Sequence, residues 1–181
     1  MNITIITSTT EKKEISAYKK NLLDLLNENA HHLTLFDIKK MNVRSCTGCW
    51  SCWVKTPGKC ILSDDMDSIL SSVINSDLLL YLAEPVLGYV NYRLKMVMDR
   101  SIPLVHPYIE LVNGECHHKK RYEKYPYIGL ILENSEDLEA EDIEIIGHLF
   151  RRFALNFKSE LSVFKTTEVP VQEVINEINN I

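Results

Sequence analysis

The chain has 181 residues, is 45% hydrophobic and 25% charged, and carries a net charge of −5. That is the profile of one globular domain spanning 1–181, and its acidic balance argues against nucleic acid, which asks for a basic face. No apolar run reaches the roughly 18 residues of a membrane span and no signal peptide opens the chain, so a reducing cytoplasm is expected. There, clustered cysteines point to metal or redox work more than to disulfides.

Asn2–Thr7 alternates and then turns β-branched, as a strand does. Thr7-Ser8-Thr9-Thr10 offers helix-capping hydroxyls, after which Ile15, Tyr18, Leu22, Leu25 and Leu26 recur at helical spacing. "HLTLFDI" (32–38) is the second strand. Ser63 with Asp64, Asp65 and Asp67 marks a helix start, since negative charge suits that end of the dipole. "DLLLYLAEP" (77–85) is a continuous apolar run, expected of a central parallel strand covered on both faces. Tyr92, Lys95, Met96 and Asp99 lie on a third helix ending before Pro103. "YIGLIL" (127–132) and "LSVFK" (161–165) are the fourth and fifth strands, with a long helix to about Asn156 between them and Pro170 opening a last helix. "ENSEDLEAEDIE" (133–144) is acidic at seven of its twelve positions. It reads as a solvated helix start, not as a metal site.

Five alternations of strand and helix predict an α/β fold: a flavodoxin-like, doubly wound, five-stranded parallel sheet of order 2-1-3-4-5, which binds FMN at the switch between strands 1 and 3. Residues 103–126 break the rhythm and are too long for an ordinary connection. They are expected to form an excursion, a lid or an interface arm of a homodimer, carrying Tyr108, Tyr122 and Tyr125. The switch point makes two loops decisive, Thr7–Glu14 and Glu84–Tyr92. In the second, Pro85 ends the strand, Gly88 permits a close backbone approach, and Tyr89 and Tyr92 could wall a flat ring. The plainer alternative is a strand–turn–helix with buried aromatics.

"CTGCWSCWVKTPGKC" (46–60) holds four of the five cysteines at C-x2-C-x2-C-x7-C. Four readings stand side by side. Close C-x2-C-x2-C runs are the usual sign of cubane clusters, with Cys60 closing the site behind Cys46, Cys49 and Cys52. Zinc normally takes two separated knuckles. Dithiol exchange through Cys46 and Cys49 is a third use, and packing beside Trp50 and Trp53 a fourth. Cys116, His117 and His118 read as surface or interface residues.

Two of these stretches carry a family resemblance. "EPVLGYVNYRLKMVMDR" resembles the P-V-Y-x-G-x-x-S-x-x-L-K-x-x-x-D-R segment of NAD(P)H-dependent FMN reductases. The cysteine loop resembles the compact cysteine motif of iron–sulfur flavoproteins in that superfamily. The resemblance implies an FMN-dependent oxidoreductase that takes electrons from NAD(P)H to a small acceptor such as a quinone or flavin, often as a dimer. It implies a phosphate held at Ser8, Thr9, Thr10 and Ser16. The ring would lie against Pro85, Val86, Leu87, Gly88 and Tyr89, with Asn91 where the family has serine. It also implies a possible [4Fe–4S] cluster on Cys46, Cys49, Cys52 and Cys60, and no acid–base residue. An electron carrier, or a related module that has lost FMN, are the alternatives. The first loop departs from the pattern. It has neither glycine nor arginine, Lys12 and Lys13 are its cations, and Glu11 and Glu14 oppose an anion.

Overall fold

The computed structural model describes residues 1–181 throughout. In chain order it contains β1 (Asn2–Thr7), α1 (Lys13–Glu28), β2 (His32–Asp37), the short α2 (Ser51–Val54), α3 (Met66–Ile74), β3 (Leu78–Ala83), β4 (Pro85–Val86), β5 (Tyr89–Val90) and α4 (Tyr92–Asp99). Then follow β6 (Val105–Val112), β7 (Glu115–Lys120), β8 (Tyr127–Leu132), α5 (Ala140–Asn156), β9 (Leu161–Thr166) and α6 (Val171–Ile178).

Five strands form one sheet in the order β2-β1-β3-β8-β9, and every neighbouring pair is parallel. This is the flavodoxin-like order expected from the sequence. β3 is buried at all six positions. Its side chains alternate between two apolar layers, as the two-residue period of a strand requires. Leu78, Leu80 and Leu82 join Ile3, Ile5 and Val163 under Leu22 and Leu26 of α1 and Val174 and Ile175 of α6. Leu79, Tyr81 and Ala83 face the other layer, under Ile69 of α3, Leu94 of α4 and Phe150 of α5. Each fully buried leucine contributes about 1.5–3 kcal/mol, so a strand buried on both faces anchors the sheet.

The excursion is a β-hairpin. β6 and β7 pair antiparallel around Asn113-Gly114, whose φ angles of 52° and 82° give a primed two-residue turn that matches the strand twist. His117 is buried and meets Asn156 and Glu115, while His118 lies 5.0 Å from the Trp53 ring, so the two histidines do not share a site. A second, smaller hairpin, β4–β5, sits at the end of β3 and turns through Leu87 and Gly88 at φ 50° and 73°.

The winding reverses between β1 and β3, with α1 on one face and α3 and α4 on the other. The loops after β1, β3 and β8 therefore open along one carboxyl edge of the sheet, the place where open α/β sheets bind ligands.

Candidate functional site

The carboxyl edge has two ends, and they differ. At the first, Pro85, Val86, Leu87 and Gly88 face Ser135, Asp137 and Leu138 across a cleft of about 380 Å³. The small hairpin forms this wall, and Leu87 at its tip is fully exposed. Asn91 is fixed from three sides. Its Oδ1 caps α4 by accepting from Leu94 N–H at 3.2 Å, and its Nδ2 donates to Ser8 O at 2.7 Å and reaches Glu84 at 3.4 Å. It thus ties the loop after β3 to the loop after β1.

The three other residues expected at this wall differ in their surroundings. Gly88 lines the cleft, and at φ 73° a Cβ there would also come 2.8 Å from Asp142 Oδ1 of α5. Tyr89 lines a different cavity, with Lys95, Met98, Cys116 and Phe153. Tyr92 is exposed under the Arg93 guanidinium instead of walling the cleft.

The other end is the loop after β1. Ser8 and Thr9 are buried, Thr9 Oγ1 lies 3.2 Å from Thr7 Oγ1, and Ser8 Oγ has no hydrogen-bond partner. Ser16 is exposed on α1. Thr10 is already engaged: its N–H donates to Glu133 Oε2 at 2.7 Å and its hydroxyl to Glu133 Oε1. Glu133 is only 1% exposed. The acidic segment at 133–144 therefore starts with a buried carboxylate, although Glu136, Glu139, Glu141 and Glu144 are exposed as expected. The cleft beside Pro85 suits a flat ring. The β1–α1 loop, with Thr10 already bonded to a carboxylate, does not fit a phosphate as well.

The cysteine loop is held by tryptophan and arginine. Trp53 Nε1–H donates to Val105 O at 3.0 Å and lies within 3.3 Å of Ile102 O, which pins α2 to the base of the long hairpin. Trp50 meets Trp53 edge-on at 5.1 Å. Arg100, 1% exposed, donates to both oxygens of Asp64 at 2.9 and 3.0 Å and to Arg44 O at 2.7 Å. Burial works against its charge, but Asp64 and the neighbouring Cys60 outweigh that and raise its pKa. Arg100 Nε, buried without a hydrogen-bond partner, is left over.

All five cysteines are free thiols. Cys52 has a raised pKa, first from burial and then from the charges of Cys60, Cys46 and Cys49, so the four sulfurs sense one another. Cys49 is exposed, and hydrogen bonds from the Ser51 hydroxyl and N–H and from the Thr47 hydroxyl lower its pKa to about 7. No three His, Cys, Asp or Glu side chains converge on a single point. A lone zinc requires such convergence, with sulfurs about 2.3 Å from one ion. A cubane takes its four thiolates on separate irons, a donor set of the kind that Cys46, Cys49, Cys52 and Cys60 would supply.

Sequence reading missed two of these residues. Arg100 stood inside the reductase-like segment without a role, and Glu133 was absorbed into an acidic run. Both depend on partners far along the chain, 36 and 123 residues away.

No protein-family profile matches the chain. An iron–sulfur flavoprotein of Methanocaldococcus jannaschii is 32% identical over 85 residues, 47% of this chain and 43% of that one. An iron–sulfur flavoprotein of Archaeoglobus fulgidus is 37% identical over 78 residues, 39% and 34% of the two chains. These matches thus span less than half of either relative. Among solved structures, an FMN-dependent NADH-azoreductase of Bacillus anthracis in complex with FMN superposes with a TM-score of 0.63 over 99% of this chain and 95% of that one. Its 14% identity speaks for the fold alone. By sheet order the chain is a flavodoxin-like α/β protein, and less than half of it is similar in sequence to parts of two iron–sulfur flavoproteins.

Proposed function

We propose that the protein is a flavin-dependent oxidoreductase that accepts electrons from NAD(P)H and passes them to a small acceptor such as a quinone or a second flavin. The observation that carries this reading is the cleft between Pro85–Gly88 and Ser135–Leu138 on the carboxyl edge of a flavodoxin-like sheet, in a chain that also carries a loop of four free thiols. A bound flavin would supply the hydride and electron chemistry, so no acid–base side chain is required. The chain's own tasks are to wall the ring with Pro85, Val86 and Leu87, to lock that wall through Asn91, and to pin the cysteine loop to the long hairpin through Trp53.

A second reading is favoured by Arg100 beside Cys60: a [4Fe–4S] cluster on Cys46, Cys49, Cys52 and Cys60 that exchanges single electrons, making the protein an electron carrier. A buried guanidinium stabilises thiolate charge at such a centre. Five free cysteines suit the reducing cytoplasm, and no helix is long and apolar enough to cross a membrane. We further propose a homodimer joined through the β6–β7 hairpin, where Tyr108, Ile109 and Leu111 are exposed.

Anaerobic reconstitution with flavin, iron and sulfide tests these readings together. A visible spectrum with flavin bands that bleach on adding NADH or NADPH supports the oxidoreductase. About four iron and four sulfide per chain supports the cluster. A protein that stays colourless after reconstitution sinks both.

A further inference from the structure

Three strand ends meet at one carboxylate. Ser8 N–H donates to Leu82 O at 2.9 Å and Glu133 N–H to Ala83 O at 2.8 Å, which knits the ends of β1, β3 and β8 together. From that position the Glu133 side chain reaches the neighbouring loop and accepts both hydrogen bonds that Thr10 can give, one from N–H and one from the hydroxyl. The Lys12 ammonium stands 3.9 Å from Oε1. Just beyond, the 16-residue helix α1 begins with no side-chain cap.

An N–H, a hydroxyl and a lysine converging on a pair of oxygens, just ahead of a helix, are the kind of contacts with which such loops hold phosphate. Here the oxygens belong to the chain itself. Ser8 Oγ, 0% exposed and without a partner, adds a second loop hydroxyl that no protein group satisfies. A buried hydroxyl of this kind is uncommon in a folded protein, where most buried polar groups are paired. A phosphate entering the loop would have to displace the carboxylate or stand against its charge, with Glu11 and Glu14 adding repulsion from the helix start.

We infer that Glu133 is the built-in occupant of the β1–α1 anion position, so that flavin is selected at the Pro85–Gly88 cleft by its ring and not by its phosphate, the flavin half of this inference resting on the reading proposed above. The ligand class is therefore the isoalloxazine with or without its 5′-phosphate, and riboflavin and FMN are near equals. Removing the carboxylate restores an anion site.

The full chain and its Glu133→Gln and Glu133→Ala variants decide this with two probes. The first is inorganic phosphate, followed through the Thr10 amide signal in NMR titrations. The second is the ratio of FMN to riboflavin affinity, read from flavin fluorescence. The expected result is a Thr10 response to phosphate in Glu133→Ala but not in the wild type, with FMN gaining about tenfold or more over riboflavin, the scale of one charge-assisted hydrogen bond. Glu133→Gln keeps the side chain's length and an acceptor oxygen, so it guards against a misfolded alanine variant and should move both readouts in the same direction. Equal phosphate responses in the wild type and variants, or none in any of the three, overturn the inference. So does a wild-type preference for FMN of about a hundredfold, the scale of two such bonds, a measurement that needs no variant. If the flavin reading alone is wrong, neither flavin binds any of the chains, while the phosphate titration still decides the anion site.

Discussion

Arg100 and Asp64 form a buried bidentate pair that joins the end of α4 to the start of α3, with side chains 1% and 0% exposed. Burial by itself would raise the Asp64 pKa. Hydrogen bonds from Arg100 and from the Arg44 and Met66 N–H groups overcome it and hold the carboxyl at about 2. Breaking such a pair from one side leaves an uncompensated charge and costs about 3–5 kcal/mol. Arg100→Met should therefore lower the urea midpoint strongly, while Arg100→Met with Asp64→Leu should recover much of the loss.

The same pair sets a pH dependence. Its folded-state pKa lies below the ordinary carboxylate value of about 3.9, so the stabilisation is complete above that value. It is lost as pH falls through about 2. Denaturation midpoints measured from pH 5 downward should fall for the wild type. The fall should be shallower in the double variant, which has no carboxylate there to protonate.

Cys49 should be the reactive thiol of the iron-free protein. Its pKa of about 7 lies below the ordinary thiol value of about 8.5, while that of Cys52 is raised. Alkylation followed peptide by peptide in a mass spectrometer should reach half its limiting rate near pH 7 at Cys49. Cys52 should react last. Ser51→Ala removes the hydroxyl that donates to Cys49 and should shift that midpoint upward.

How much of this was legible in the sequence follows the range of the interactions. All five sheet strands could be read to within a residue or two, because burial on one or two faces writes a local period into "NITIIT" or "YIGLIL". The β6–β7 hairpin was passed over, although Asn113-Gly114 between alternating residues is a strong local turn signal. The weight given to its length obscured its pattern. Glu133 and Arg100 could not be read at all. A glutamate before an acidic helix looks solvated until the fold carries Thr10 to it, and no spacing within one segment records a contact between two.

Gly88 tests whether that wall is shaped by the protein or by a ligand. An alanine there takes on a left-handed backbone, at about 1–2 kcal/mol, and its Cβ presses on Asp142, which also accepts from Glu139 N–H at the start of α5. Gly88→Ala should destabilise by about 2–3 kcal/mol in the absence of any flavin. With Asp142→Ala added, the double variant should be more stable than the sum of the single losses allows, as for residues in contact. Strict additivity would mean that the two do not touch.

The hairpin face is tested by charge. Leu111→Asp on β6 should leave the melting temperature of the fold nearly unchanged, since the side chain is exposed, and should convert a dimer to a monomer in sedimentation. A wild-type monomer at micromolar concentration would remove the proposed interface.

Helix α4 has Asn91 at one end, gripping the loop beside the cleft, and Arg100 at the other, gripping the cysteine side. Nine residues at 1.5 Å each set these two anchors about 14 Å apart. One short helix thus acts as a ruler between the places where two electron-carrying groups would sit. Were both groups bound as proposed, their separation would be set within one chain and not by encounter, and the pace of exchange between them would not change with protein concentration. Bending or lengthening that helix would alter the rate without touching either group.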